Sequence, residues 1–469
     1  MVSEYKERER KKELRIIRET KDKFLKQDTM KGSIKEGAFA SIMSGAGDGY
    51  ITPFALAIGA NNFQVGLIRS LAGLLAPLGQ LKGSRLMEKY SRKKILVTFV
   101  ALQALIWFPI IFLGVLFLQE FLLAYLPYAL ILLYLLYAIF GALSYPAWFS
   151  LMGDVVPNNS RGKYFSKRTR ITSFIVLVSL LISAFVLDFF KTRGFALLGF
   201  SIIFSIAGFS RLYSATLFAK HYEPKLKLKK GYYFSFFDFL KKGLKTNFGK
   251  FVMFLTTFYL VTYIAGPFFA VYMLRDLNFS YLSFMIVNIS GTLAALLFLP
   301  FWGKISDKHG NKIVLLVCSA LASIFPFLWL LFKTPYLLII PQFFGGIAWA
   351  GFNLSASNFI YDSVSVKKRG LCVAYYHILL GIGIFVGAGL GGLITQYIPI
   401  KFMNVFLFVF LLSGMLRALT VLIFTKKIKE IRKVKDTTPQ LVIKDLVRME
   451  GIKHDIGIMK NYFFKEKSR

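Results

Sequence analysis

The chain has 469 residues, 56% of them hydrophobic and 17% aromatic, and its 59 Lys and Arg against 24 Asp and Glu give a formal net charge of +35. A nucleic-acid binder spends its residues on polar, Lys/Arg-rich surface and does not reach a mean hydropathy of +0.57, and disorder needs low hydrophobicity beside the charge. The composition points to a polytopic membrane protein that holds its charge in the loops and has no nucleic acid as partner.

The first 36 residues carry 12 basic and 8 acidic side chains and no apolar signal-peptide core, which predicts a charged cytoplasmic helix lying on the anionic inner leaflet. A span needs about 20 apolar residues to cross roughly 30 Å of hydrocarbon. Windows of that kind lie near 37–60, 63–82, 95–118, 123–152, 170–190, 194–218, 248–274, 279–302, 313–332, 335–360, 371–397 and 402–425. The fourth and tenth are longer than needed and are expected to tilt. Residues 219–247 form a central loop, in which aromatic residues and lysines between Tyr232 and Lys245 suit an interfacial helix, and residues 427–469 form a basic tail read as a membrane anchor. Of the Lys and Arg, 51 fall in the two tails and the loops that alternate with them, five on the opposite side and three inside spans (Arg69, Arg211 and Arg417). Because Lys and Arg are retained on the cytoplasmic side, both termini are expected there, in a multi-pass protein of the cell membrane.

Short anchors repeat between the two sets of six spans. Asp154 precedes Arg161-Gly162 as Asp362 precedes Arg369-Gly370, Gly208, Arg211 and Lys220 recur as Gly414, Arg417 and Lys426, and Pro53-Phe54 with Asn62-Phe63 recur as Pro267-Phe268 with Asn278-Phe279. The predicted fold class is therefore an all-α polytopic membrane protein, with twelve transmembrane helices in two pseudo-symmetric six-helix bundles, 37–218 and 248–426.

After the eighth span the chain reads Gly303-Lys-Ile-Ser-Asp307-Lys308-His-Gly310-Asn311-Lys312, and after the second Ser84-Arg-Leu-Met-Glu88-Lys89-Tyr-Ser-Arg92-Lys93. The former resembles the G-x-x-x-D-[RK]-x-G-[RK]-[RK] loop signature of the major facilitator superfamily, and the latter is a degenerate copy with Ser for both glycines and Glu for Asp. The resemblance implies a transporter whose loops latch the two bundles on the cytoplasmic side. Carried onto this chain, Asp307 and Glu88 become latching carboxylates, Arg92 a partner for Asp154, and Lys312 or Lys308 a partner for Asp362. Gly303 and Gly310, with the corner residues Arg161 and Arg369, complete the expected gating set.

An ionisable group at membrane depth is expensive unless paired or wet, so it is a functional candidate. Asp48 lies about eleven residues into the first span, near 17 Å deep, and Arg69 about 9 Å down from the opposite face at ~1.5 Å per residue, which suggests an Asp48–Arg69 pair or a substrate- or proton-responsive Asp48. The glycine-rich run Ser44 to Tyr50 makes a weak helix that is expected to open there. The family's cavity is lined by the first, fourth, seventh and tenth spans. That resemblance nominates Tyr50, Tyr145, Trp148, Tyr259, Tyr263, Gln342, Trp349 and Asn353, a set of rings and amides suited to a neutral or zwitterionic organic solute. Arg211 and Arg417 are read as structural groups that snorkel or bind a loop carboxylate, His377 as a wall residue, and the glycines from Gly381 to Gly392 as a packing and sliding surface between halves.

Neither a P-loop, a metal-ligand spacing nor a G-x-S-x-G elbow occurs, so no enzyme, cofactor or metal is expected. Cys318 and Cys372 lie in apolar stretches, and the sequon at Asn158 falls in a loop expected to be cytoplasmic. The sequence thus predicts a monomeric secondary transporter of a small-molecule solute in a lipid membrane, with protons as a candidate coupling ion. An exporter of lipophilic compounds is the competing carrier reading, weakened because the fifth span lacks the Gly-Pro-rich signature of the family's drug/proton antiporters. A membrane sensor that signals without transport is the reading from another class.

Overall fold

The computed structural model describes residues 2–157, 160–224, 235–364, 366–432, 434 and 438–442, and among them all regular structure is helical. Most of the predicted interfacial segment before Ser235, most of the basic tail and the Asn158 sequon lie outside the described residues. In chain order the helices are α1 (Val2–Ala46), α2 (Ile51–Ala57), α3 (Asn62–Leu86), α4 (Arg92–Leu105), α5 (Trp107–Leu118), α6 (Leu126–Val155), α7 (Arg161–Lys191), α8 (Ala196–Lys220), α9 (Phe236–Lys242), α10 (Asn247–Tyr263), α11 (Phe268–Val271), α12 (Tyr281–His309), α13 (Asn311–Leu331), α14 (Pro335–Ser363), α15 (Val366–Tyr397) and α16 (Val405–Thr425). Among the described residues ten helical stretches, from Arg92–Leu118 to Val405–Thr425, are long and apolar enough to span a membrane. The first two of the twelve spans fall outside that set for local reasons. The apolar part of α1 ends at Ala46, and α3 carries Arg69, Lys82 and Arg85.

Two compact units divide the chain, residues 1–60 with 75–230 and residues 61–74 with 231–469. In the first unit α1 gives way to a 3₁₀ turn at Asp48–Tyr50 before α2 resumes, in the run where three glycines each weaken the helix by about 1 kcal/mol relative to Ala. A side chain at Gly47 would also collide with Trp107, since its Cβ would stand 2.5 Å from that ring. Below it Phe54 meets Phe200 and Phe204 edge-on at 5.3 and 5.1 Å, anchoring α2 on α8.

In the second unit Ser235 and Asp238 form a reciprocal capping box at the start of α9, and Thr246 caps α10 by accepting from Gly249 N at 3.0 Å. The glycines of α15 do not serve as a surface between halves alone. A Cβ on Gly387 or Gly391 would lie 2.0 Å from the Leu260 or Ile264 carbonyl, so they seat α15 directly on α10 of the same unit, while Gly381 and Gly392 meet Gly73 and Phe63. Across the unit, α12 and α14 touch at Gly291 and Gly346, where a Cβ added to Gly346 would be 2.0 Å from the Gly291 carbonyl oxygen.

Candidate functional site

The second unit holds a partly open cavity of about 690 Å³. α10 supplies Tyr259, Thr262 and Tyr263, and its helix ends just before Gly266 and Pro267, which also line the space. α12 adds Asn288 and Thr292, α13 Phe325 and Trp329, α14 Gln342 and Trp349, α3 Arg69, and α16 Arg417. The Tyr259 ring lies 6.2 Å from Tyr263 and 5.8 Å from Trp349, and its hydroxyl donates to Asn353 Oδ1 at 3.2 Å. Five of the nominated residues (Arg69, Tyr259, Tyr263, Gln342 and Trp349) therefore line one space, and Asn353 is tied to it through Tyr259.

Arg417 is placed otherwise than the sequence suggested. It is 4% exposed, does not snorkel, meets no loop carboxylate among the described residues, and lines the cavity. Its guanidinium donates to Ser413 Oγ at 3.1 Å, the Ala322 carbonyl at 2.9 Å and the Thr262 carbonyl at 3.4 Å. The repeat-related Arg211 instead meets a carboxylate from α1. Its Nη1 lies 3.5 Å from Glu36 Oε1, its Nε donates to Gln103 at 2.9 Å, and Ser214 bridges to Glu36 at 2.9 Å.

Asp48, in the first unit, accepts from the Tyr134 hydroxyl at 2.7 Å. Tyr50 leaves the solute-facing set, because it is fully buried and its hydroxyl donates to the Leu180 carbonyl. Tyr145 is half exposed on α6 and stacks on Trp148 at 6.2 Å, and Trp148 lies under the Arg168 guanidinium at 4.8 Å with its indole N–H buried and unpartnered. His377 is exposed on α15 beside Tyr376.

The loop motifs form a charge cluster in each unit. Fully buried Arg92 donates through Nη1 to Asp154 at 2.6 Å and Ser150 at 3.1 Å, through Nη2 to the Pro224 carbonyl at 2.5 Å, and lies 3.4 Å from Glu223. Glu223 also caps α4, accepting from Arg92 N at 2.8 Å and Lys93 N at 3.3 Å. Glu88 shares a small cleft with Arg92 and Glu223. In the second cluster Asp362 accepts from Asn311 and from Arg432, each at 2.7 Å. Buried Asn311 stands at the position that matches Arg92, and its side chain also pairs with Ser306.

Arg432 reaches Asp307 at 3.1 Å, and Glu430 caps α13 by accepting from Lys312 N at 2.7 Å. Burial lowers the Arg432 pKa, but hydrogen bonds and charge from Asp362 and Asp307 outweigh it and hold the guanidinium above its ordinary value. Gly310 turns the chain at φ +92°, a conformation that suits glycine. A Cβ at Gly303, in contrast, would meet nothing within 4 Å among the described residues. Arg161 hydrogen-bonds the Val156 and Gly153 carbonyls of its own corner, and the Arg369 side chain lies outside the described residues. Glu223, Glu430 and Arg432 were not nominated by the sequence. Their only signal is position, a few residues past the last helix of each half.

Comparison with known proteins matches the model of the Major Facilitator Superfamily over residues 37–255 and 251–456. Multidrug resistance protein 1 of Bacillus subtilis (strain 168) is 29% identical over 97 residues, 21% of this chain and 25% of that protein. The class H tetracycline resistance protein of Pasteurella multocida is 30% identical over 148 residues, 31% of this chain and 35% of that one. The matched segments thus span a quarter to about a third of those relatives' own length. Among solved structures, a single-residue mutant of the nucleoside transporter NupG superposes with a TM-score of 0.67 at 16% identity over 85% of this chain and all of that one. A D-xylose-proton symporter gives 0.64 at 14% identity over 88% and 99%. With a family model spanning both repeats and the same fold in solved transporters, the chain belongs to the major facilitator superfamily and is a multi-pass membrane transporter.

Proposed function

We propose that the protein is a secondary transporter that moves a small organic solute across the cytoplasmic membrane by alternating access, residues 37–218 moving against 248–426. The observation that carries this reading is the cavity of about 690 Å³, within the range of roughly 300–1,000 Å³ common for small-molecule sites, with rings and a few convergent polar groups on its walls. Tyr259, Tyr263 and Trp349 offer faces for an organic body, while Gln342, Asn288 and Thr262 offer donors and acceptors. Asp48, held by Tyr134, is the candidate proton-responsive group, and the two charge clusters bias which side is open.

The test is counterflow in proteoliposomes holding a panel of sugars, nucleosides, amino acids and organic acids. Uptake of at least one solute, reduced at least tenfold by Trp349→Ala and with its proton dependence removed by Asp48→Asn, is expected. Flux unaffected by Trp349→Ala for every transported solute would overturn the assignment of this cavity. A second reading, export of lipophilic compounds, is favoured by the names of the two resistance-protein relatives. It predicts that expression in a drug-sensitive host raises resistance and that Trp349→Ala abolishes the gain.

A further inference from the structure

We propose that the solute is an organic anion, carrying a carboxylate or phosphate on an apolar or aromatic body, and that Arg417 is the residue that receives its charge. The inference rests on the reading of the cavity as the solute site and adds its charge class. Among the described residues the lining holds two guanidiniums, Arg69 and Arg417, and no carboxylate.

The repeat supplies an internal control for what an arginine at this position needs. Arg211 and Arg417 occupy matching places in the sixth helix of each half, each three residues after a glycine, Gly208 and Gly414. Arg211 has Glu36 as counter-ion, and Ser214 holds that carboxylate in place. Among the described residues Arg417 has three hydrogen-bond partners, all neutral oxygens, although it is 4% exposed. A buried cation without a counter-ion costs several kcal/mol, so the second half retains an expense that the first half removed. A guanidinium has five N–H donors. With three engaged, two remain for a ligand's oxygens, and a fork of that kind suits the paired oxygens of a carboxylate or phosphate. The remaining walls, with Trp329, Phe325, Phe269 and Trp349, suit an apolar body attached to that charge. The neutral or zwitterionic solute suggested by rings and amides alone is thereby replaced.

The experiment compares four compounds of one shape class against the purified full chain in detergent, read by thermal shift: 3-phenylpropionate, phenyl phosphate, 3-phenylpropanamide and 3-phenylpropylamine. The two anions are expected to raise the melting temperature while the amide and amine leave it unchanged. Arg417→Gln abolishes the anion shift, and Arg417→Lys, which keeps the charge without the planar fork, retains a reduced one. The lysine variant keeps the test readable where the glutamine variant does not fold. An anion shift undiminished in Arg417→Gln, or an amide or amine shift as large as the anions', overturns the proposal. If the amide or amine shift disappears in Trp349→Ala, the cavity stands as the solute site and only its charge class falls. If none of the four gives a shift that depends on Trp349, both fall.

Discussion

The Arg92 cluster offers a coupling whose size follows from its geometry. The Arg92 side chain is fully buried, while that of Asp154 is 46% exposed and that of Glu223 20%. An exposed ion pair contributes about 0–1 kcal/mol, and stripping one partner from a fully buried pair costs about 3–5. With one end buried and the other half in solvent, the Arg92–Asp154 interaction should couple by about 2 kcal/mol. Arg92→Gln should cost more, about 3 kcal/mol, because it also loses the bonds to Ser150, the Pro224 carbonyl and the Glu223 carboxylate. The main-chain caps from Arg92 N and Lys93 N to Glu223 survive the substitution and limit the damage. Asp154→Asn should cost less than Arg92→Gln, since it removes the charge from one contact. A double-mutant cycle with Arg92→Gln and Asp154→Asn, read by reversible unfolding in detergent, measures the coupling. A coupling below about 0.5 kcal/mol, or an Asp154→Asn cost exceeding that of Arg92→Gln, would refute this account of the cluster.

Gly387→Ala places a Cβ 2.0 Å from the Leu260 carbonyl and should lower stability by roughly 1–3 kcal/mol, whereas Gly303→Ala, opening onto free space, should stay within about 0.5 kcal/mol; equal melting temperatures for the two variants would contradict the packing described for α15. His221, just past α8, has its pKa pushed down to about 4, chiefly by burial and further by Lys93 and Arg168, with the Gly32 backbone and Asp28 opposing. The unfolded chain, near 6.5, binds the proton first, so stability is lost as pH falls from about 6.5 toward 4, about 2 kcal/mol of it by pH 5. Unfolding at pH 7.5 and 5 should show that slope, and His221→Gln should flatten it; an unchanged slope in the variant would assign the pH dependence to other groups.

The spans were legible because twenty apolar residues in a row leave few alternatives in water, and the helix break at Gly47 was legible because three glycines crowd one turn. Side-chain destinations were harder to read. Tyr50 looked like a cavity aromatic from its depth, yet depth along a helix does not say which face a residue takes, and it points into the protein. Arg417 looked like a snorkelling arginine because a lysine follows nine residues later in both repeats, Lys220 and Lys426. What separates it from Arg211 is Glu36, a residue more than 170 positions away from the latter and assigned from sequence to the charged tail. In the same way nothing in the loop motif points to Arg432, which reaches Asp362 from 70 residues beyond. A carboxylate or arginine in a basic loop carries no mark of burial, so Glu223, Glu430 and Arg432 became visible only with the fold.

Those three residues show how the two halves build equivalent clusters from different parts. Glu223 and Glu430 each follow the sixth helix of their half and cap the start of its third, α4 or α13. In the first cluster the cation is Arg92, inside that third helix. Asn311 stands at the corresponding place in the second, and its cation, Arg432, comes from the chain after α16. The second cluster therefore depends on a segment that a topology diagram would call tail. Deleting residues 427–469 removes the α13 cap and leaves Asp362 and Asp307 without Arg432; the loss should reach about 2–3 kcal/mol, most of it at half-buried Asp362 rather than at Asp307, whose side chain is 78% exposed. Deleting 443–469 leaves every one of these contacts in place and should cost far less. Thermal unfolding of the two truncations, beside Arg432→Ala in the full chain, separates the contributions. Equal melting temperatures for the two truncations would mean that Glu430 and Arg432 do not hold the second cluster together.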